Sequence, residues 1–117
     1  MSLKDEILEN LIRDRDEMED DWDGQGSKQI TEASLTQFTR FIKLFPEELL
    51  VNLSYGGCAW GHVNLEWIPE NTKRVWVIFE GDKIWLVWNI DGESQSVELE
   101  FNDQIPAVII EKLKEIL

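Results

Sequence analysis

The chain has one cysteine, one histidine and only eleven lysines and arginines among its 117 residues. The single cysteine, Cys58, excludes an intrachain disulfide and points to a reducing compartment. Cys58 and His62 together are too few for an ordinary zinc site. Basic residues are outnumbered by 24 aspartates and glutamates, which leaves a net charge of −13. Such a surface repels a phosphate backbone, so direct binding of nucleic acid is not expected. An anionic membrane is disfavoured for the same reason. No apolar run reaches the ~18 residues of a membrane span. The opening Met-Ser-Leu-Lys-Asp-Glu leads into an acidic amphipathic segment instead of an apolar one. No signal peptide is therefore expected, and the cytoplasm is the expected compartment.

Catalytic signals are also scarce. Cys58 and His62 are the only pair suited to nucleophilic chemistry. In an extended strand their four-residue separation spans roughly 13 Å. A thiol–imidazole dyad needs hydrogen-bond contact, so they are not expected to form one. No glycine-rich phosphate loop follows a strand. The many carboxylates offer no identifiable acid/base pair. No cofactor, no metal and no catalytic residue are expected, and an enzyme built on Cys58/His62 or on carboxylates is the remote alternative.

What is present is a strong pattern of helices followed by strands. Ser2–Asp21 reads as a helix, with Ser2 placed to cap it and Asp5 three residues on. Leu3, Ile7, Leu8, Leu11, Ile12 and Met18 recur at helical spacing. Its end runs into Asp14, Asp16, Glu17, Glu19, Asp20, Asp21 and Asp23, acids that oppose the helix dipole. Glu19-x-Asp21-x-Asp23-Gly24 has the outline of a calcium loop. The bidentate glutamate that such a loop needs is replaced by Ile30, so calcium is not expected. Trp22–Lys28 is a tight connection in which Gly24 and Gly26 can take positive φ and Trp22 can anchor the loop or recognise a partner. Thr31 caps a second helix to Phe45, with Leu35, Phe38, Phe41, Ile42 and Phe45 on its buried stripe and Pro46 ending it.

The strands expected are Leu49–Tyr55, Ala59–Ile68, Lys73–Glu80, Lys83–Ile90 and Gln95–Phe101. Short links between them make an antiparallel meander. A C-terminal helix opens at Pro106. The fold class is therefore α+β in a single domain: two N-terminal helices, a five-stranded antiparallel meander sheet and a short C-terminal helix.

Turn lengths set the register. A two-residue loop at Gly81-Asp82 pairs Glu80 with Lys83, Ile78 with Trp85 and Trp76 with Val87. A two-residue loop at Asp91-Gly92 sets Leu86 against Val97 and Trp85 against Glu98. A five-residue loop over Pro69–Lys73 sets Trp67 against Val75 and Glu66 against Trp76. The first face then carries Val75, Val77, Phe79, Ile84, Leu86 and Trp88, and a one-residue slip would bury Glu66. A three-residue loop at Gly56–Cys58 adds Val51, Leu53 and Tyr55 to that core face. The second face is a narrow apolar stripe, Trp76, Ile78, Trp85 and Val87, flanked by Asn64, Glu66, Ser96 and Glu98. Two readings of it compete. Either a helix lies across it, or it is open to a partner or a second copy of the chain.

Two stretches carry a resemblance. Trp22-Asp23-Gly24-Gln25-Gly26-Ser27 resembles the Trp-Asp-Gly-x-Gly-Ala/Ser loop of a group of small uncharacterised bacterial and phage proteins. Gly61-His62-Val63-Asn64-Leu65-Glu66-Trp67 resembles the Leu-Glu-Trp strand that follows in that group. The resemblance implies helices before a meander and adds no catalytic residue.

The functional expectation is a non-enzymatic protein-binding module. A small acidic protein would dock a basic protein partner, as an inhibitor, immunity protein or antitoxin does, with a structural homodimer as the alternative. The expected contact residues are Trp76, Ile78, Trp85, Val87, Glu66 and Glu98, together with Asp20, Asp21 and Asp23 and the Trp22, Gly24, Gly26 loop.

Overall fold

Two-residue turns dictate the sheet. A computed structural model describes residues 2–17, 28–58 and 60–117. Helices α1 (Leu3–Glu17) and α2 (Glu32–Leu44) precede strands β1 (Leu53–Gly57), β2 (Val63–Glu70), β3 (Lys73–Glu80), β4 (Lys83–Ile90) and β5 (Glu93–Leu99). Helix α3 (Ala107–Ile116) closes the chain. The strands form one antiparallel sheet in the order β1-β2-β3-β4-β5, a meander. The α+β architecture read from the sequence is the one observed.

The β3–β4 and β4–β5 registers follow from their turns. Ile78 pairs with Trp85, Trp76 with Val87, Leu86 with Val97 and Trp85 with Glu98, as expected. Asp91 and Gly92 both have positive φ, 52° and 90°. That combination belongs to a type I′ turn, whose twist suits a hairpin. The β2–β3 pairs also hold, with Trp67 opposite Val75 and Glu66 opposite Trp76. The connection differs from the expected five-residue loop. β2 continues to Glu70, which pairs with Lys73, and a register shift between Trp67 and Glu70 takes up the extra residue. Pro69 sits in that shift, where a missing N–H interrupts no regular ladder.

The β1–β2 connection is the main correction. The two glycines were expected at the turn, but Gly56 and Gly57 lie in the strand, opposite Asn64 and Val63. A Cβ on Gly57 would lie 2.7 Å from the side chain of Ile30, so the glycine makes room for that buried residue. The chain instead reverses after Cys58, whose amide donates to His62 O, with Gly61 at φ 83°. β2 starts at Val63, and the expected start at Ala59 lies outside the described residues. Leu53 and Tyr55 pack against the core as expected. Val51 precedes β1 and is 46% exposed, not a core residue. A 3-10 helical turn, Glu47–Leu49, occupies the start of the expected strand. The indole of Trp67 donates to Leu49 O at 2.9 Å and holds that turn against the sheet.

The helices begin where the capping residues stand. Ser2 Oγ accepts from the amide of Asp5, and Thr31 accepts from that of Ser34. Ile7 and Leu11 are the buried residues of α1, while Leu3 and Ile12 remain exposed. Leu35, Phe38, Phe41, Ile42 and Phe45 are all buried. Ile109, Leu113 and Ile116 bury α3. These side chains join Val63, Leu65, Trp67, Val75, Val77, Phe79, Ile84, Leu86 and Trp88 in one hydrophobic cluster. Phe79 lies at its centre, edge-on to Phe38 and Phe41 at 5.2 and 5.0 Å. The core is thus one face of the sheet with all three helices upon it. No described helix is long and apolar enough to cross a membrane.

Candidate protein-docking face

Strand alternation puts every second side chain on the side away from the helices. Trp76, Ile78, Trp85 and Val87 occupy that side at the centre of the sheet, half-buried by their neighbours. None of the four belongs to the hydrophobic cluster or packs against it. The three helices lie on the opposite face, so the reading in which one of them covers the tryptophans does not hold. Ile68, the next outward residue of β2 after Glu66, adds a side chain that is 45% exposed.

Polar groups border the stripe where the register placed them. Glu66 stands opposite Trp76 and Glu98 opposite Trp85. Asn64 faces Ile78 and Ser96 faces Val87. Arg74 lies two residues before Trp76, hence on the same face. Its guanidinium carbon sits 3.7 Å from the Trp76 ring centre. Its Nε and Nη2 both donate to Glu66 Oε2, at 3.0 and 2.7 Å. The arginine is held flat on one indole by a carboxylate from the neighbouring strand, a cation–π arrangement. Trp85 differs. Its Nε1 donates to Glu80 Oε2 at 3.2 Å, and no cation among the described residues stands over its ring. At the hairpin end of the sheet a depression of about 400 Å³ is lined by residues that include Asp82, Lys83, Glu98, Leu99, Glu100 and Phe101.

Other expected contacts fall elsewhere. Asp20, Asp21, Asp23, Trp22, Gly24 and Gly26 lie outside the described residues. Of the acidic run, Asp14, Asp16 and Glu17 end α1. Arg15 pairs there with Asp16 and Glu32, tying the end of α1 to the start of α2. Its pKa is raised, first by the hydrogen bond to Asp16 and then by the charge of Glu32.

Cys58 and His62 are closer than strand spacing implies. Because they flank the β1–β2 turn, the Cys58 amide donates to His62 O at 2.9 Å. Both side chains are half-buried, and among the described residues no hydrogen bond joins the thiol to the imidazole. No group of three or more His, Cys, Asp or Glu among the described residues could hold a metal ion.

One participant, Arg74, and one exposed tryptophan away from the stripe, Trp60, escaped the sequence reading. Arg74 could have been found, since its parity with Trp76 and the Glu66–Trp76 pairing place it on the face. Trp60 could not. It is 75% exposed and forms an isolated parallel bridge with Lys28, a contact that depends on the misplaced β1–β2 turn. Comparison with protein-family models, curated proteins and solved structures gave no match.

Proposed function

We propose that the chain is a non-enzymatic docking module that binds a basic protein partner through the open face of its sheet. The observation that carries this reading is the position of Trp76, Ile78, Trp85 and Val87, outside the core and opposite all three helices. Tryptophans in a partly desolvated stripe with a polar rim are the usual anchors of a protein interface. The charge of −13 favours a basic occupant and speeds its encounter. Inhibitors, immunity proteins and antitoxins work by occlusion of this kind and need no catalytic group.

The test starts from the immobilised chain. A retained protein is identified, purified and titrated against the wild type and the Trp76→Ala/Trp85→Ala variant. A basic protein whose Kd weakens at least about a hundredfold in the variant supports the reading. Equal affinity for both forms overturns it. Self-association of the wild type through this face, seen by light scattering and lost in the variant, would replace the partner by a second copy of the chain.

A further inference from the structure

The open face contains the same local arrangement twice. In each case a basic residue stands two positions before a tryptophan, and a glutamate from the next strand stands opposite that tryptophan. Arg74, Trp76 and Glu66 form the first; Lys83, Trp85 and Glu98 form the second. In the first, Arg74 lies 3.7 Å above the ring and is bonded to the glutamate. The chain itself thus shows what this combination holds: a guanidinium, stacked on the indole and clamped by the carboxylate. In the second, no cation of the described residues covers the ring. Trp85 instead has a second carboxylate, Glu80, hydrogen-bonded at its indole nitrogen. Two acids and an indole with no described cation over it make this the more anionic of the two.

We propose that Trp85, with Glu80 and Glu98, receives an arginine side chain of the partner in the way that Trp76 and Glu66 receive Arg74. Arginine fits better than lysine. Its planar, weakly hydrated cation stacks on an indole and still offers in-plane donors to carboxylates on either side. Lys83 is the competing charge. It is exposed at the tip of the hairpin, and its ammonium does not lie over Trp85.

This inference rests on the docking reading, and its test separates the two. Hexa-arginine and hexa-lysine peptides are titrated into the ¹⁵N-labelled chain while the indole N–H resonances are followed. Hexa-arginine should shift the Trp85 indole more than those of Trp76 and Trp60. Trp85→Ala should weaken hexa-arginine binding about tenfold, the size of a well-formed cation–π contact plus its carboxylate bond. Glu98→Gln and Glu80→Gln, which leave the sheet packing intact, should each weaken it severalfold, and Lys83→Ala should strengthen it. An unmoved Trp85 indole, an equal response to hexa-lysine, or unchanged affinity in both glutamine variants overturns the assignment. If a purified partner still depends on Trp85 while hexa-arginine leaves that indole unmoved, the arginine assignment falls and the docking reading stands.

Discussion

The hydroxyl of Ser34 accepts the amide of Gly81 at 2.8 Å, joining the first turn of α2 to the tip of the β3–β4 hairpin. The same hydroxyl accepts from Thr31 Oγ1 at 2.8 Å, so the helix cap and the hairpin turn share one oxygen. Ser34 is fully buried. Neighbouring Gln37 reaches the same turn, with its Nε2 3.4 Å from Asp82 O. The strands that carry Trp76 and Trp85 are therefore pinned from the helix side. Ser34→Ala leaves the Gly81 amide without its acceptor, and should cost about 1–3 kcal/mol. The urea midpoint measures it.

The unequal burial of the two sheet faces gives a second prediction. Phe79 is fully buried and touches two phenylalanines of α2, whereas Val87 lies on the open side. Phe79→Ala should destabilise by about 3–5 kcal/mol, the transfer and cavity cost of a buried aromatic. Val87→Ala, on the partly solvated face, should cost no more than about 1 kcal/mol. Equal losses in chemical denaturation would mean that the second face is covered after all, and would remove the ground for a docking surface.

Much of this sheet was legible because period-2 alternation and two-residue turns leave little freedom. Placing Val77 and Leu86 together forces Trp76 and Trp85 to the other side, whatever covers them. Even the unexpected bulge before Pro69 left the Trp67–Val75 pairing intact. The β1–β2 turn was not legible, because its cause is tertiary. Gly56 and Gly57 have the composition of a turn, but they pair with Asn64 and Val63, and buried Ile30 fills the space that a Cβ on Gly57 would take. Register did assign the core, because Val75, Val77, Phe79, Ile84 and Leu86 meet apolar partners on both neighbouring strands, and these five and Trp88 are all buried. Whether a helix also covers the Trp76/Trp85 face was beyond the sequence.

Glycines at this connection should respond in opposite ways. Gly61 has φ 83°, and a Cβ there would lie 2.6 Å from Gln29 O, a backbone atom that cannot swing aside. Its carbonyl also accepts from the capping Thr31 amide at 3.0 Å. Gly61→Ala should cost about 1–3 kcal/mol and loosen the start of α2. Gly56 has ordinary strand geometry and nothing within 4 Å of an added Cβ. Gly56→Ala should be neutral or stabilising by about 0.5 kcal/mol, because it restricts the unfolded chain. Thermal unfolding of the two variants side by side decides the matter.

Arg74 provides the most direct way to ask whether the occupied and vacant tryptophans are equivalent. Its two bonds to Glu66 lie at the surface, where such a pair contributes about 0–1 kcal/mol. Arg74→Ala should therefore leave the unfolding midpoint nearly unchanged. It should, however, uncover the Trp76 ring and free the Glu66 carboxylate. Among the described residues of the open face, the variant then presents two indole–carboxylate pairs with no cation over the ring, at Trp76 and Trp85, where the wild type presents one. Hexa-arginine should now shift the Trp76 indole N–H as well as that of Trp85, and bind more tightly at low salt. Adding Glu66→Gln should return Trp76 toward its wild-type indifference without affecting Trp85. If the Trp76 resonance stays unresponsive once Arg74 is gone, the contact with Arg74 owes nothing to the chemistry of the pair, and the parallel drawn to Trp85 fails with it.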